Sequence, residues 1–515
     1  MVNPILLIWT IFGAAIVHLW LSVRRLRQRA GYQPGQIYLF SPANLLANLF
    51  PRLKYVTVGT NWGFNWKHDS FSEFGQDIIS ITSLLPFPEV SLFLADPIAT
   101  KDMTSSRARF PKPVEQYGLL EFFGQNIVAS EGEQWKKYRK ISAPAFSDRN
   151  NKLVWDEAMK ITEDMIDTVW HKQDVVHIDH CVEITLPIAL FVIGVAAFGK
   201  RMSWEDEEVP SGHSMTLKCA LHVVTTDFIF KALLPNWALG LTSRLRKVRD
   251  GFDELRRYMK EMIAERKNTL TTARHDLFSS FIEANDGDDQ VTLDESEIIG
   301  NIFIFLVAGH ETTAHTLCFT FALLALYPDE QEKLFQQIDS LMPEGSLPSY
   351  EEMPKFTYSM AVFYETLRMF PPVNFIPKVA AEDTSLSTTN LHGQRINVPI
   401  SKGTYVTILT PGLHYNPRYW KNPHLFNPER FLEDWPRDAF LPFSAGARAC
   451  IGRKFFETEG IAILTMLISK YKISVKEEPQ FSNETFEQRK ARILKTGQAF
   501  TLSPIRVPLT FTRRV

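Results

Sequence analysis

The chain of 515 residues holds four cysteines, at positions 181, 219, 318 and 450. Their spacing suits neither a disulfide framework nor a zinc site. Cys450 alone has unusual company. It sits in the run Phe443-Ser-Ala-Gly446-Ala-Arg448-Ala-Cys450-Ile-Gly452, where small residues surround the thiol. A flat macrocycle can approach a backbone only where side chains are absent, and glycine permits turns of unusual φ. Backbone N–H groups of such a loop tune a thiolate metal ligand. Arg448 is placed to reach a carboxylate on a cofactor rim. Beyond Gly452 the pattern turns helical through Phe455, Ile461 and Leu464. Cys450 thus precedes a helix N-terminus, whose dipole favours a thiolate. Cys181, Cys219 and Cys318 read as ordinary buried thiols.

A second stretch breaks local rules. Ala308-Gly309-His310-Glu311-Thr312-Thr313 interrupts a long apolar helical run. A mid-helix glycine costs about 1 kcal/mol against alanine, and buried polar groups need partners. Rules broken together mark a functional site. Thr313 also has an ordinary role open to it, a bond to the carbonyl one turn back. His310 and His315 read as packing or hydrogen-bonding residues.

Three residue pairs have helical spacing. Trp135 and Arg139 share a face at i, i+4; Glu365 and Arg368, and Glu254 and Arg257, share faces at i, i+3. The last reads as a solvated surface pair. Glu365 is set apart by the Phe370-Pro371-Pro372 that follows, and by Phe426-Asn-Pro-Glu429-Arg430-Phe431 further on.

The motif Phe-x-x-Gly-x-Arg-x-Cys-x-Gly, with five fixed positions over residues 443–452, resembles the haem-binding signature of the cytochromes P-450. The other motifs follow in that family's order, from Trp135 to Gly452. The resemblance implies haem b with Cys450 as iron ligand and Phe443 beside it. It implies Trp135, Arg139 and Arg448 as propionate partners. Lys378 falls where many members carry a further arginine; lysine keeps the charge and loses the bidentate fork. Gly309 would help leave a groove for O2, Thr312 hold a water, and Glu311 relay protons. Glu365, Arg368 and Arg430 would form a structural charge cluster.

The elements that must position these residues are mostly helical. Helical periodicity covers Trp155–Trp170, Arg244–Asn268 and Glu297–Leu326, the last following an acidic Asp294-Glu295-Ser296-Glu297 start. A run so long and apolar must cross a core. Short β-branched segments at Val90–Leu94, Val373–Ala380, Thr404–Leu409 and Ile505–Phe511 predict small peripheral sheets. The fold class is therefore mainly α with small peripheral β-sheets, and the resemblance implies the P-450 fold.

Residues Pro4–Val23 carry no Asp, Glu, Lys or Arg and are followed by Arg24, Arg25, Arg27 and Arg29. At ~1.5 Å rise per residue the run spans a ~30 Å hydrocarbon core. Arginines after it put the following side in the cytosol. A cleaved signal peptide would carry its charge before a shorter run. The expected organisation is a lumenal tip at 1–3, an anchor at 4–23, a basic, proline-containing linker at 24–50 and a catalytic domain at 51–515. Net charge is −2, so nothing global points to nucleic acid.

The resemblance implies a haem-thiolate monooxygenase of the endoplasmic reticulum membrane, similar to fungal secondary-metabolism members. Electrons would come from NADPH through a separate reductase, with cytochrome b5 a further possible donor. A basic set, Lys136, Lys137, Lys140, Arg453 and Lys454, suits an acidic donor or simply a solvated face. An isomerase, dehydratase or peroxygenase needing no reductase stays open, as does a non-enzymatic haem sensor or lipid binder; the Glu311-Thr312 pair favours monooxygenation. Substrate contacts would fall near Tyr117–Phe123, 219–245, Ile302–Leu306, Val373–Ile376 and Thr496–Phe500. Their apolar character suits a terpenoid, including lanostane triterpenoids, or a polycyclic aromatic xenobiotic.

Overall fold

The longest apolar run of the sequence becomes its longest helix, Glu295–Leu326. Asp294 and Glu297 form a reciprocal capping box at its start, which satisfies two otherwise orphaned N–H groups. The run is long and apolar enough to cross a membrane, but 83% of its most apolar window is buried inside the protein, so it is a core helix. The computed structural model describes residues 4–44, 50–204, 208–268, 276–283, 292–342, 347–390, 393–498 and 500–514, without the side chains at positions 4 and 6–8.

The chain divides into two units, each discontinuous in sequence. The first comprises Met1–Pro113, Leu367–Leu425 and Asp434–Cys450. Its five-stranded sheet has the order Gly35–Phe40, Ile78–Leu85, Glu89–Leu94, Tyr405–Leu409, Phe375–Val379. Trp62, Trp66, Phe71 and Phe93 pack together as its aromatic core. Strand Gly35–Phe40 lies in the stretch expected as a turn-rich linker. It runs parallel to Ile78–Leu85, and a Cβ at Gly35 would meet the Ser80 carbonyl oxygen at 1.7 Å. Glycine there signals close strand approach. Strands Thr384–Thr389 and Arg395–Ile400 form a separate antiparallel pair.

The N-terminal helix is Pro4–Arg29, so the four arginines continue the helix instead of opening a linker. Its apolar side chains Trp9, Phe12, Ile16 and Trp20 are exposed.

The second unit comprises Val114–Thr366, Phe426–Glu433 and Ile451–Val515. Helices Val182–Phe198 and Arg453–Lys470 are apolar nearly all round and bury against the long helix. Ser243–Asn268 matches its expected bounds closely. The expected Trp155–Trp170 helix is Asp148–Asp164 continued by a wider π-turn at Met165–Val169. Strands Val175–Ile178, Leu509–Arg513 and Tyr471–Val475 form one antiparallel sheet, and Thr496–Gln498 pairs with Leu502–Pro504. The strand expected at Ile505–Phe511 thus starts later, at Leu509.

Candidate active site

Cys450, in the first unit, is exposed; in the second unit Cys181 and Cys318 are buried, and Cys219 is half-buried rather than enclosed. The Cys450 N–H donates to the Phe443 carbonyl at 2.8 Å, which closes the loop. A tight turn at Gly446–Arg448 lies between them. Gly446 has φ +68°, and a Cβ there would lie 2.3 Å from the Thr104 carbonyl oxygen. Only glycine fits both demands. Helix Arg453–Lys470 begins three residues beyond the thiol, with Gly452 as its cap. An accessible thiol on a rigid backbone loop suits a metal ligand. Lys378 is 5% exposed on the strand Phe375–Val379.

Arg368 is fully buried and donates to the carbonyls of His414 and Pro423 at 2.9 and 2.8 Å. In the second unit, Glu365 is fully buried and accepts from Arg430 Nε at 3.1 Å and the Asn427 N–H at 3.0 Å. The Glu365–Arg430 half of the expected cluster is therefore a direct ion pair.

Trp135 is buried on helix Gly132–Ser142, and Arg139 is half-buried one turn on. Two neighbours fix that helix against the long one. Lys137 Nζ lies 2.9 Å from both Glu297 carboxylate oxygens, and the Tyr138 hydroxyl donates to Glu297 at 2.7 Å. Glu297 so serves as helix cap and as anchor, a role the sequence did not reveal.

The long helix has one opening. Among its central residues Ala308 is exposed and Gly309 and Thr312 are half-exposed, while their neighbours are buried. Gly309 also answers to packing, because a Cβ there would meet Ile193 Cδ1 at 2.9 Å. The Thr312 hydroxyl donates to the Ala308 carbonyl at 2.7 Å. That uses its one hydrogen and leaves its lone pairs to accept. Thr313 donates to Gly309 at 3.0 Å, as its ordinary role requires, and lies 3.3 Å from Glu459.

Glu311 is buried, and burial pushes its carboxyl up to about 8; the Thr225 and Thr501 hydroxyls offset only part of this. Its Oε2 has no hydrogen bond of ordinary geometry. His310 bonds the Leu306 carbonyl at 2.6 Å and His315 bonds the Thr501 hydroxyl at 2.8 Å. Burial lowers them to about 4 and about 3, so both stay neutral packing residues. Glu459 is a further buried carboxyl, pushed well up by burial. Sequence reading passed over it, although an acid at the head of the apolar run Gly460–Leu467 was a usable signal.

The Glu254–Arg257 pair exists at 3.3 Å, but its acid is buried and also faces His213 at 2.7 Å, so only the arginine half is solvated. The basic set is largely engaged. Lys136 pairs with Glu133, Lys137 with Glu297, and Arg453 with Glu457. Of the expected contact regions, Ile302–Leu306 is core; Phe123 stacks on Phe252 and lies against Phe303. Phe228 and Phe500 stack at 4.0 Å and are half-buried; Ala499 between the latter and Thr496 lies outside the described residues.

The family model for cytochrome P-450 matches residues 63–499. The chain belongs to the cytochrome P-450 family. Cytochrome P-450 monooxygenase 124 of Postia placenta is 53% identical over 487 residues, covering 93% of this chain and 94% of that protein. Cytochrome P-450 monooxygenase ORF6 of Penicillium roqueforti is 30% identical, over 80% of this chain and 78% of that one. The crystal structure of the haem domain of cytochrome P-450DA shares the fold, with TM-score 0.75 at 22% identity, over 94% of this chain and 98% of that one. The protein is thus an oxidoreductase of the P-450 monooxygenase type, with the mainly helical P-450 fold and its small sheets. The family implies haem, and the accessible Cys450 thiol with its glycine-constrained loop fits that group.

Proposed function

We propose that this P-450 is a membrane-anchored monooxygenase that puts one oxygen atom of O2 into a large apolar substrate, using electrons from NADPH through a separate flavoprotein reductase. The observation that carries this is the single opening on the long helix beside a carboxyl tuned to about 8. A group that titrates near working pH can both give and regain a proton. By the family resemblance, Cys450 would hold the haem iron with Phe443 beside it, and Arg448, Lys378, Trp135 and Arg139 would hold its propionates. Bound haem supplies the O2-binding and electron-accepting chemistry, tuned by thiolate ligation. Glu311 passes protons toward the opening. Thr312, with its hydrogen committed to Ala308, accepts from a water there and orients it.

The N-terminal helix suits a single-pass anchor in the endoplasmic reticulum, with the arginine side cytosolic. Lys140 and Lys454 are exposed and, with the other basic residues, suit an acidic donor, whether reductase or cytochrome b5. Phe228 and Phe500 suit an apolar substrate of terpenoid or triterpenoid type. The test is turnover of a terpenoid and sterol panel in microsomes with co-expressed reductase. NADPH- and reductase-dependent product is expected. Product without reductase would replace monooxygenation by a peroxygenase or isomerase reading.

A further inference from the structure

His414 ends the short helix Thr410–His414 and is completely buried. Its Nδ1 lies 3.1 Å from the Arg368 carbonyl oxygen, and its Nε2 lies 2.8 Å from the Leu441 nitrogen. A carbonyl only accepts and a backbone N–H only donates. Nδ1 therefore carries the hydrogen and Nε2 the lone pair. The His414 carbonyl in turn accepts from Arg368 Nη1 at 2.9 Å, so the two residues are doubly linked. Leu441 opens the cysteine loop and is itself buried. Two residues later the Phe443 carbonyl accepts the Cys450 N–H at 2.8 Å. A continuous set of bonds thus runs from Arg368 through the imidazole to Leu441, and the same short loop closes on Cys450.

We propose that His414 is the positioning residue of the thiolate loop: its neutral ring is a rigid spacer that fixes where the loop carrying Cys450 leaves the core. The ring suits this task because it donates from one edge and accepts at the other. Lysine and arginine cannot accept, and a glutamine amide offers both functions from one flexible end. Burial, reinforced by the Arg368 guanidinium, holds the imidazole down to about 3, so the tautomer survives at any working pH. Removing the ring leaves the Leu441 N–H buried without its acceptor. A penalty of that kind corresponds to roughly tenfold or more in an equilibrium.

The inference rests on Cys450 as the haem ligand, and the test separates the two. The full chain, haem-loaded and detergent-solubilised, is compared with H414F, H414Q, Y415F and C450A. The Tyr415 hydroxyl bonds the Met369 carbonyl at 3.0 Å, so Y415F perturbs the same helix end through a different bond. The readouts are the reduced carbon monoxide spectrum over time, the haem reduction potential and Tm. Both His414 variants should pass from the thiolate-type to the thiol-type spectrum roughly tenfold faster than the parent, H414F faster than H414Q. Y415F should lose Tm and keep the spectrum. Parental conversion rates and potential in H414F and H414Q would overturn the proposal, as would equally fast conversion in Y415F at equal loss of Tm. Should H414F not fold, H414Q decides by the same criteria. A parent that lacks the thiolate-type spectrum, or C450A that keeps it, overturns the ligand assignment instead.

Discussion

Glu365 and Glu311 are both withdrawn from water, at 0% and 5% exposure, and the protein treats them in opposite ways. Glu365 receives a guanidinium and a backbone N–H within 3.1 Å. Glu311 receives only the partial help of two threonine hydroxyls, and one of its oxygens goes without a bond. Burying an ion is expensive unless it is paired, so an unpaired carboxyl takes up a proton instead. The first arrangement gives a buried carboxyl fixed donors; the second makes charge conditional on a proton. Glu459 belongs with the second: burial raises it, and only Thr313 is close. The helix that carries the opening thus bears one such acid, Glu311, and meets a second, Glu459, at Thr313.

The sharpest way to break this contrast is at Glu365. Glu365→Ala leaves Arg430 facing a vacancy inside the unit. Loss of one partner of a buried pair costs roughly 3–5 kcal/mol. The expected result is a large fall in the urea midpoint and little haem incorporation, both read on purified protein. A variant with parental stability would mean that the pair is incidental.

Glu311→Gln should do the reverse, sparing the fold and harming turnover. A positioned acid or base contributes about 10²–10⁴-fold to proton transfer. The expected outcome is a loss at the low end of that range in product per NADPH consumed, with an unchanged reduced carbon monoxide spectrum. Thr312→Ala combined with Glu311→Gln should add little, because both serve one step. Full oxidation by the double variant would remove both residues from proton delivery.

Glu311 and Glu459 predict a pH signature. A carboxyl near 4.5 when unfolded and about 8 when folded is ionised only in the unfolded chain between those values. Over that window the unfolded state binds fewer protons, so parental stability falls as pH rises. Glu311→Gln removes the penalty and should stabilise the protein by about 1–3 kcal/mol at pH 7.5, after its own buried amide is counted. At pH 4.5 the gain should vanish. Glu459→Gln should show the same sign. Denaturation at three pH values measures it, and a pH-independent difference would contradict the raised values.

The sequence disclosed the ligand loop and the long helix well because their constraints are local. Gly446 must be glycine for its φ, and an apolar run of such length has one place to go. The division of labour between Glu365 and Glu311 was legible only through the family resemblance, and Glu459 was passed over. Glu365, Glu311 and Glu459 look alike in one dimension, and only their neighbours, from Thr225 to Thr501, separate them. His414 was missed for the same reason, since its partners lie 46 and 27 positions away. Strand Gly35–Phe40 was hidden by flanking turn residues, because pairing with Ile78–Leu85 is decided by the partner strand.

The smallest effect is expected where the sequence offered a decoy. Glu254-Leu-Arg-Arg257 has the same spacing as Glu365-Thr-Leu-Arg368. Arg257 is 51% exposed, however, so water screens its attraction to Glu254. Glu254 is buried, yet it would not be orphaned by loss of that arginine, because His213 Nδ1 remains at 2.7 Å. Arg257→Ala should therefore cost no more than about 0.5 kcal/mol, and less still in high salt. Setting it beside Arg430→Ala in one denaturation series compares an exposed guanidinium partner with a nearly buried one of the same charge type. A loss at Arg257 as large as that at Arg430 would show that pairing, and not desolvation, governs both sites.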